Sequence, residues 1–164
     1  MIRKAEKKDS SRLAEILIFA KRKAYRKIFC DDDGSFNQLQ VLPLALLYQD
    51  SNNALDGMYV YDDGIVKGLI HWKIEKDEVN LLELYVEPFF QHEGIGNSLM
   101  KYFLQTMREE KIEKATLWVL EENKEARALY EKYGWKENGA RTFEDGYDVV
   151  LLQYELIRRT EDEV

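Results

Sequence analysis
Cysteine is almost absent from this chain of 164 residues. Cys30 stands alone, so no internal disulfide forms and a four-cysteine zinc site is excluded. His71, with no Cys or His neighbour, is a poor metal ligand and reads as a packing or surface residue. No metal is expected. Only two prolines and nine glycines are present, which argues against a long linker or a low-complexity region. No apolar run reaches membrane-spanning length. The opening Met1–Glu6 lacks the apolar core of a signal peptide. These shortages predict a cytoplasmic protein with no membrane partner. A basic excess is also missing. The formal net charge of −7 argues against a general nucleic-acid binder. It permits a cationic substrate, and it equally suits a solvated acidic surface. What remains is a chain long enough for one domain with a sizeable core. That domain is expected over residues 1–157, with a charged, frayed tail at 158–164.

The most informative stretch is Leu81 to Met100. It reads as a strand, a glycine turn and the start of a helix. Leu81–Val86 is the strand, with Glu83 and Tyr85 on one face, and Pro88 ends it because proline cannot donate to a ladder. Gly94 and Gly96 follow, and then Leu99, Met100, Phe103 and Leu104 recur at helical spacing. A helix start presents unpaired N–H groups and a partial positive charge, and glycines let a ligand approach the backbone. The stretch therefore reads as an anion site, suited to phosphate or pyrophosphate. A P-loop would need Lys and Ser/Thr after its last glycine, where Asn97 and Ser98 stand. A dinucleotide fingerprint would need Gly or Ala at Leu99. Glu121 does fall near the position of a ribose-binding acid, so a Rossmann-like nucleotide-binding oxidoreductase is the second reading.

The rest of the chain supplies the context. Ile2–Ala5 reads as a strand. A helix capped by Asp9 or Ser10 runs to about Ile28, with Leu13, Ile16, Leu17, Ala20, Ala24 and Ile28 as its stripe. Asp31-Asp32-Asp33-Gly34 breaks it. A second helical region spans roughly Phe36–Gln49, with Leu39, Leu42, Ala45, Leu46 and Leu47 as apolar positions and Pro43 as a kink or division. Met58–Tyr61, Ile65–Glu75 and Glu78–Val86 form a three-strand meander with turns at Asp62-Asp63-Gly64 and Lys76-Asp77. After the glycine turn a helix runs to about Glu110, followed by a strand over Ala115–Leu120. Asn123 caps a helix over Lys124–Tyr133, and Gly134 stops it. Trp135 opens a strand, Glu144-Asp145-Gly146 turns the chain, and Tyr147–Ile157 is the last strand.

Asn123, Ala126 and Tyr130 fall on one face of that last helix. A cap asparagine can bond a ligand amide, a small alanine leaves room for a long ligand, and a phenol stands at the end. Taken alone, the same pattern describes a packed helix with a core tyrosine.

Together the two motifs resemble the GNAT superfamily of acetyl-CoA-dependent N-acetyltransferases. Leu84-Tyr85-Val86-x-Pro88-x-x-Gln91-x-x-Gly94-Ile95-Gly96 is similar to that family's pyrophosphate-binding segment. Asn123-x-x-Ala126-x-x-Leu129-Tyr130-x-x-Tyr133-Gly134-Trp135 is similar to its second cofactor motif. The resemblance implies an α/β (α+β) fold ordered β-α-α-β-β-β-α-β-α-β-β. Its central sheet would be mixed, mostly antiparallel and about seven-stranded, with helices on both faces. It implies transfer of acetyl from acetyl-CoA to a primary amine, on a small molecule or a protein, by direct attack in a ternary complex. Leu84, Tyr85 and Val86 would pair with the pantetheine arm. Amides from His92, Glu93, Gly94, Ile95, Gly96 and Asn97, with Gln91 and Ser98 flanking them, would hold pyrophosphate. Asn123 and Ala126 would contact pantetheine, and Tyr130 would protonate the departing thiolate. Glu83, a carboxylate on a central strand, is the candidate base. Glu93 departs from the basic residues the family often carries there, which lowers the expected affinity for acetyl-CoA. The acceptor would meet Tyr25, Phe29, Phe36 and the Arg141–Tyr147 hairpin, with Asp31–Asp33 and Glu144-Asp145 as attractors for a cation. The resemblance is compatible with a homodimer and with a non-catalytic CoA-binding module.

Overall fold
The computed structural model describes residues 1–158. Seven strands hydrogen-bond in the order β1-β2-β3-β4-β5-β7-β6. They are β1 (Ile2–Lys4), β2 (Met58–Asp62), β3 (Val66–Glu75), β4 (Glu78–Val86), β5 (Lys114–Leu120), β6 (Lys136–Phe143) and β7 (Val150–Ile157). Four α-helices join them: α1 (Ser10–Phe29), α2 (Val41–Asp50), α3 (Ile95–Glu109) and α4 (Lys124–Lys132). The element order is the expected one. Pairs β1–β2, β2–β3, β5–β7 and β6–β7 are antiparallel, and β4–β5 is parallel across the α3 crossover. A Rossmann-like sheet is mostly parallel, whereas these four pairs are antiparallel, so the oxidoreductase reading is not favoured at this level. The tail expected over 158–164 lies outside the described residues except for Arg158, whose N–H bonds to the Glu113 carbonyl.

By packing, the chain forms two compact units. The first comprises Met1–His71 and Glu83–Tyr102, the second Trp72–Leu82 and the chain from Phe103 onward. In the first unit, α1 buries Leu13, Ala14, Ile16, Leu17 and Ala20 at helical spacing. The first four meet Tyr48 of α2 and Met58, Val60 and Leu69 of the strands, with Tyr85 packed at the edge. The second helical region differs from its reading. A π-helical turn covers Asp33–Gln38, and α2 begins only at Val41. The division falls at Leu39-Gln40 and not at Pro43, because a proline in the first helical turn lacks an N–H that had no partner anyway. The buried face also shifts. Val41, Leu44, Ala45 and Tyr48 face the core, while Leu42, Leu46 and Leu47 are exposed.

Arg3 clasps the start of this unit. Its guanidinium donates to both Asp9 oxygens at 2.8 and 2.9 Å and to Asp62 at 3.0 Å. Asp9 is buried, which alone would raise its carboxyl, yet Arg3 and the Glu6 N–H hold it below the ordinary carboxylate range. A depressed folded value stabilises above the unfolded value and is lost as pH falls through the folded one. Asp9→Asn is therefore expected to cost about 1.5–3 kcal/mol at pH 7, the worth of hydrogen bonds to a charged group. The gap to wild type narrows once pH falls below the ordinary aspartate value of about 3.9 and closes as it passes through the lower folded one. Urea melts across pH check this, and a gap that persists in acid would remove the carboxylate as its source.

In the second unit an aromatic file fills the core. Ring centroids lie 5.2 Å apart for Trp72 and Phe103, 6.0 Å for Phe103 and Trp135, and 6.1 Å for Trp135 and Tyr130. Trp135 was expected to open a strand. It is instead buried just before β6, because a ring of that size is worth more inside than on β6, where every residue is exposed. The last strand starts at Val150 and not at Tyr147, since residues 145–148 form the turn.

Candidate functional site
The glycine turn in the first unit is built around positive φ values. His92 lies at φ 65° and Gly94 at φ 85°. A Cβ added to Gly94 would meet nothing within 4 Å, so the backbone there faces open space. Four residues around the turn have their side chains buried or committed to the protein. Ile95 is buried, leaving only its amide for a ligand. Ser98 donates its hydroxyl back to the Gly94 carbonyl at 3.1 Å. Gln91 bridges the Val86 carbonyl at 3.3 Å and the Lys23 ammonium at 2.8 Å, so it braces the turn. Glu87, buried after β4, accepts from Arg12 of α1 and donates its N–H to the Lys67 carbonyl. A pyrophosphate suits this turn: Gly94 leaves the backbone open just before a fifteen-residue helix.

Charge at the turn is better balanced than its own residues suggest. Glu93 is exposed, and Lys67 of β3 is close enough to feel it. Lys67 sits 4.6 Å from the Phe90 ring, and its ammonium is favoured by the hydrogen bond to Asp63 and by Glu93. Lys23 stands at Gln91. These two lysines were missed in the sequence. Each is far along the chain from the turn, and no local pattern marks them.

Glu83 occupies the face of β4 turned toward α2. Its Oε2 lies 3.7 Å from His71 Nδ1, and both side chains keep about a fifth of their surface open. Tyr48 is buried beside them, and burial followed by the Glu83 charge pushes its phenol upward, so it stays protonated at neutral pH. His71, read as a packing or surface residue, is thus a neighbour of the candidate base. Leu84, Tyr85 and Val86 continue β4. The ladder to β5 covers Glu78–Asn80 and Lys114–Thr116, so these three residues lie beyond it. A groove of about 590 Å³ lies between α1 and Pro88–Phe90. Of its charged residues, Arg12 pairs with Glu15 and Glu87 while Lys23 binds Gln91, and Phe19, Pro88, Phe89 and Phe90 supply its apolar lining.

In the second unit Asn123 caps α4. Its Oδ1 accepts the Ala126 N–H at 3.2 Å, which leaves the Nδ2 amide as the group able to donate to a ligand. Tyr130 lies in the last turn of α4, half-buried between Trp135 and Tyr154 at 6.1 and 6.4 Å. Tyr154 is fully buried, accepts from Arg127 Nε at 2.9 Å and donates to Glu131 at 2.8 Å, which fixes the ring behind Tyr130. Among the expected acceptor residues, Asp31–Asp33 are committed locally. Asp31 caps Gly34, Asp32 pairs with Arg26, and Asp33 binds Asn37 and Gln38. Glu144, Asp145 and Asp148 line a separate hollow of about 440 Å³ with Phe143 and Tyr147. Among the described residues no His/Cys/Asp/Glu group could hold a metal, and no helix is long and apolar enough to cross a membrane.

A mixed sheet with a glycine turn after its fourth strand and an Asn-capped helix after its fifth defines the GNAT class of acyltransferase fold. Residues 34–156 match the Acetyltransferase (GNAT) domain family, and the chain belongs to it. The chain is 28% identical over 103 residues to a spermidine N(1)-acetyltransferase of Thermoplasma acidophilum; the match spans 62% of either protein. Among solved structures it resembles the PaiA N-acetyltransferase of Thermoplasma acidophilum in complex with coenzyme A. The TM-score there is 0.73 at 24% identity, covering 96% of this chain and 98% of that one. A ribosomal-protein-alanine N-acetyltransferase from Brucella melitensis gives 0.72 at 21% identity, covering 96% and 99%. These likenesses establish the fold.

Proposed function
We propose that the protein transfers acetyl from acetyl-CoA to an aliphatic primary amine of the polyamine class. The observation that carries this is the family match over residues 34–156, which spans both motifs. The glycine turn supports the role of the His92–Asn97 amides toward pyrophosphate. The Nδ2 group of Asn123 supports a pantetheine contact. Tyr130 is the proton donor to sulfur, and Glu83 is the base that frees the amine. Leu84–Val86 supply backbone partners for the pantetheine arm and polarise the thioester carbonyl.

Polyamine is preferred to a protein amine for two reasons. The curated relative that the chain resembles is a spermidine N(1)-acetyltransferase. The second unit also offers Glu144, Asp145 and Asp148 around one hollow, a lining that suits a cation. A ribosomal-protein amine is the other reading, favoured only by likeness of fold.

A panel of spermidine, spermine, putrescine and an N-terminal alanine peptide, incubated with acetyl-CoA and read by thiol release, tests this. Spermidine is expected to turn over fastest. Turnover of the peptide alone would move the acceptor to proteins. Coenzyme A at about 100 times its Kd should stabilise by about 2.7 kcal/mol, a rise in Tm of roughly 5–10 °C for a chain of this length. No rise would count against the cofactor site. A rise without turnover of any amine would favour a CoA-binding module.

A further inference from the structure
His71 has one ring nitrogen tied down. Nε2 lies 2.9 Å from the main-chain oxygen of Asp56. A carbonyl oxygen only accepts, so Nε2 carries a hydrogen and donates it. Nδ1 then faces Glu83 Oε2 at 3.7 Å, an ion-pair distance and too long for a hydrogen bond. In a neutral ring with Nε2 protonated, Nδ1 presents a lone pair. Opposite an ionised carboxylate, that puts two acceptors face to face. One added proton removes the conflict, on Nδ1 or on the carboxyl, and draws the pair together. The remaining groups around the pair leave this unchanged. Met58, opposite His71 on β2, is uncharged. Tyr48, from α2, is buried and acts as a neutral neighbour. Asp56 contributes its carbonyl.

We propose that His71 is a positioning and proton-holding partner of Glu83, so that the pair, and not the carboxylate alone, receives the proton of the acceptor ammonium. This rests on Glu83 serving as the base in the proposed reaction. The ammonium gives one proton to Glu83, which passes it to His71 Nδ1. The neutral nitrogen then forms its bond to the thioester carbonyl carbon. The carbon–sulfur bond breaks with its electron pair on sulfur, and Tyr130 protonates that sulfur. The second amine proton, lost as the amide forms, returns to Tyr130 through water. The proton on the pair leaves to solvent before the next turnover. Products are the acetylated amine, coenzyme A and one proton.

The test is the pH profile of kcat/KM with spermidine for wild type, His71→Gln, Glu83→Gln and the double variant. Gln at position 71 can still donate to the Asp56 carbonyl but takes no proton. His71→Gln is expected to lower kcat about tenfold, less than the roughly 10²–10⁴ lost with a general base itself, because Glu83 remains, with KM for acetyl-CoA unchanged. Its acid limb should lie at least one pH unit below the wild-type limb. The double variant should be no slower than Glu83→Gln, because the two residues act as one unit. A wild-type limb in His71→Gln, or losses that add, overturns the His71 role while leaving Glu83 as base. A wild-type rate in Glu83→Gln overturns the base reading itself and the His71 role with it. Nitrogen NMR of the wild-type ring reads the pair without substrate, and also serves if His71→Gln does not fold. Nδ1 should gain its proton over the pH range in which kcat/KM falls. A ring that remains the Nε2–H form throughout sinks the proposal.

Discussion

Replacing Tyr130 by Phe is expected to lower kcat about 100-fold while leaving affinity for acetyl-CoA within a few-fold. The substitution removes one oxygen and keeps the ring, so the packing against Trp135 and Tyr154 survives. The core behind it also survives, because Tyr154 is held by Arg127 and Glu131. What is lost is the proposed proton donor in the last turn of α4. General acids contribute about 10²–10⁴ in rate. The lower end applies here, since an ordinary thiol titrates at about 8.5 and its thiolate leaves without great difficulty. The loss should therefore appear in kcat and kcat/KM together, the mark of an interaction made in the transition state. Coenzyme A titration of the variant by calorimetry separates the two effects. Unchanged turnover would mean that water protonates the sulfur and that Tyr130 is a packing residue of the aromatic file. A large loss of coenzyme A affinity would instead place the hydroxyl in binding.

Most of the fold is legible in the sequence because its punctuation is local. Asp62-Asp63-Gly64 and Lys76-Asp77 mark the meander, Gly134 stops α4 at φ 91°, and Asn123 caps it through a residue three positions on. The misplaced break in α2 and the buried Trp135 are cases where packing overrode local pattern. Leu42, Leu46 and Leu47 look like core and lie outside it, while Tyr48 fills the position they were expected to take. For the site, the backbone parts were legible and the side-chain parts were not. The glycine turn announces itself within a few residues. His71 meets Glu83 and Asp56 through strand pairing, and Lys23 meets Gln91 through the packing of α1, so no short window of sequence contains either meeting. Asp31–Asp33 read equally as a solvated loop or as a cation attractor, and their bonds are those of the loop. A run of carboxylates suggests a cation, yet each has a donor within a few residues, which is what aspartates at a helix break commonly do.

Gly68→Ala should destabilise the protein by about 1–2 kcal/mol and weaken coenzyme A binding roughly tenfold, the cost of overpacking a filled core. Gly68 is buried in β3 directly under the start of α3. A Cβ there would lie 2.9 Å from Ile95 Cγ2, 3.1 Å from Leu99 Cδ1 and 3.2 Å from the Tyr85 carbonyl oxygen. The two methyl groups can rotate aside at small cost. The carbonyl belongs to β4 and cannot, so either that strand or the first turn of α3 must move. Two effects oppose each other. Alanine narrows the unfolded ensemble and so favours folding by about 0.4–1 kcal/mol. Overpacking typically costs about 1–3 kcal/mol. The steric term exceeds the entropic one because Gly68 meets three atoms at once. Its effect on binding follows from which atoms yield. Ile95 opens α3 and its amide lies in the proposed pyrophosphate cradle, so a helix start displaced by a few tenths of an ångström loosens every amide that points at the ligand. Thermal melts with and without coenzyme A separate the two terms. A lower Tm with an undiminished ligand-induced rise would confine the damage to stability. A smaller rise shows that this glycine is where β3 makes room for the cofactor end of the helix.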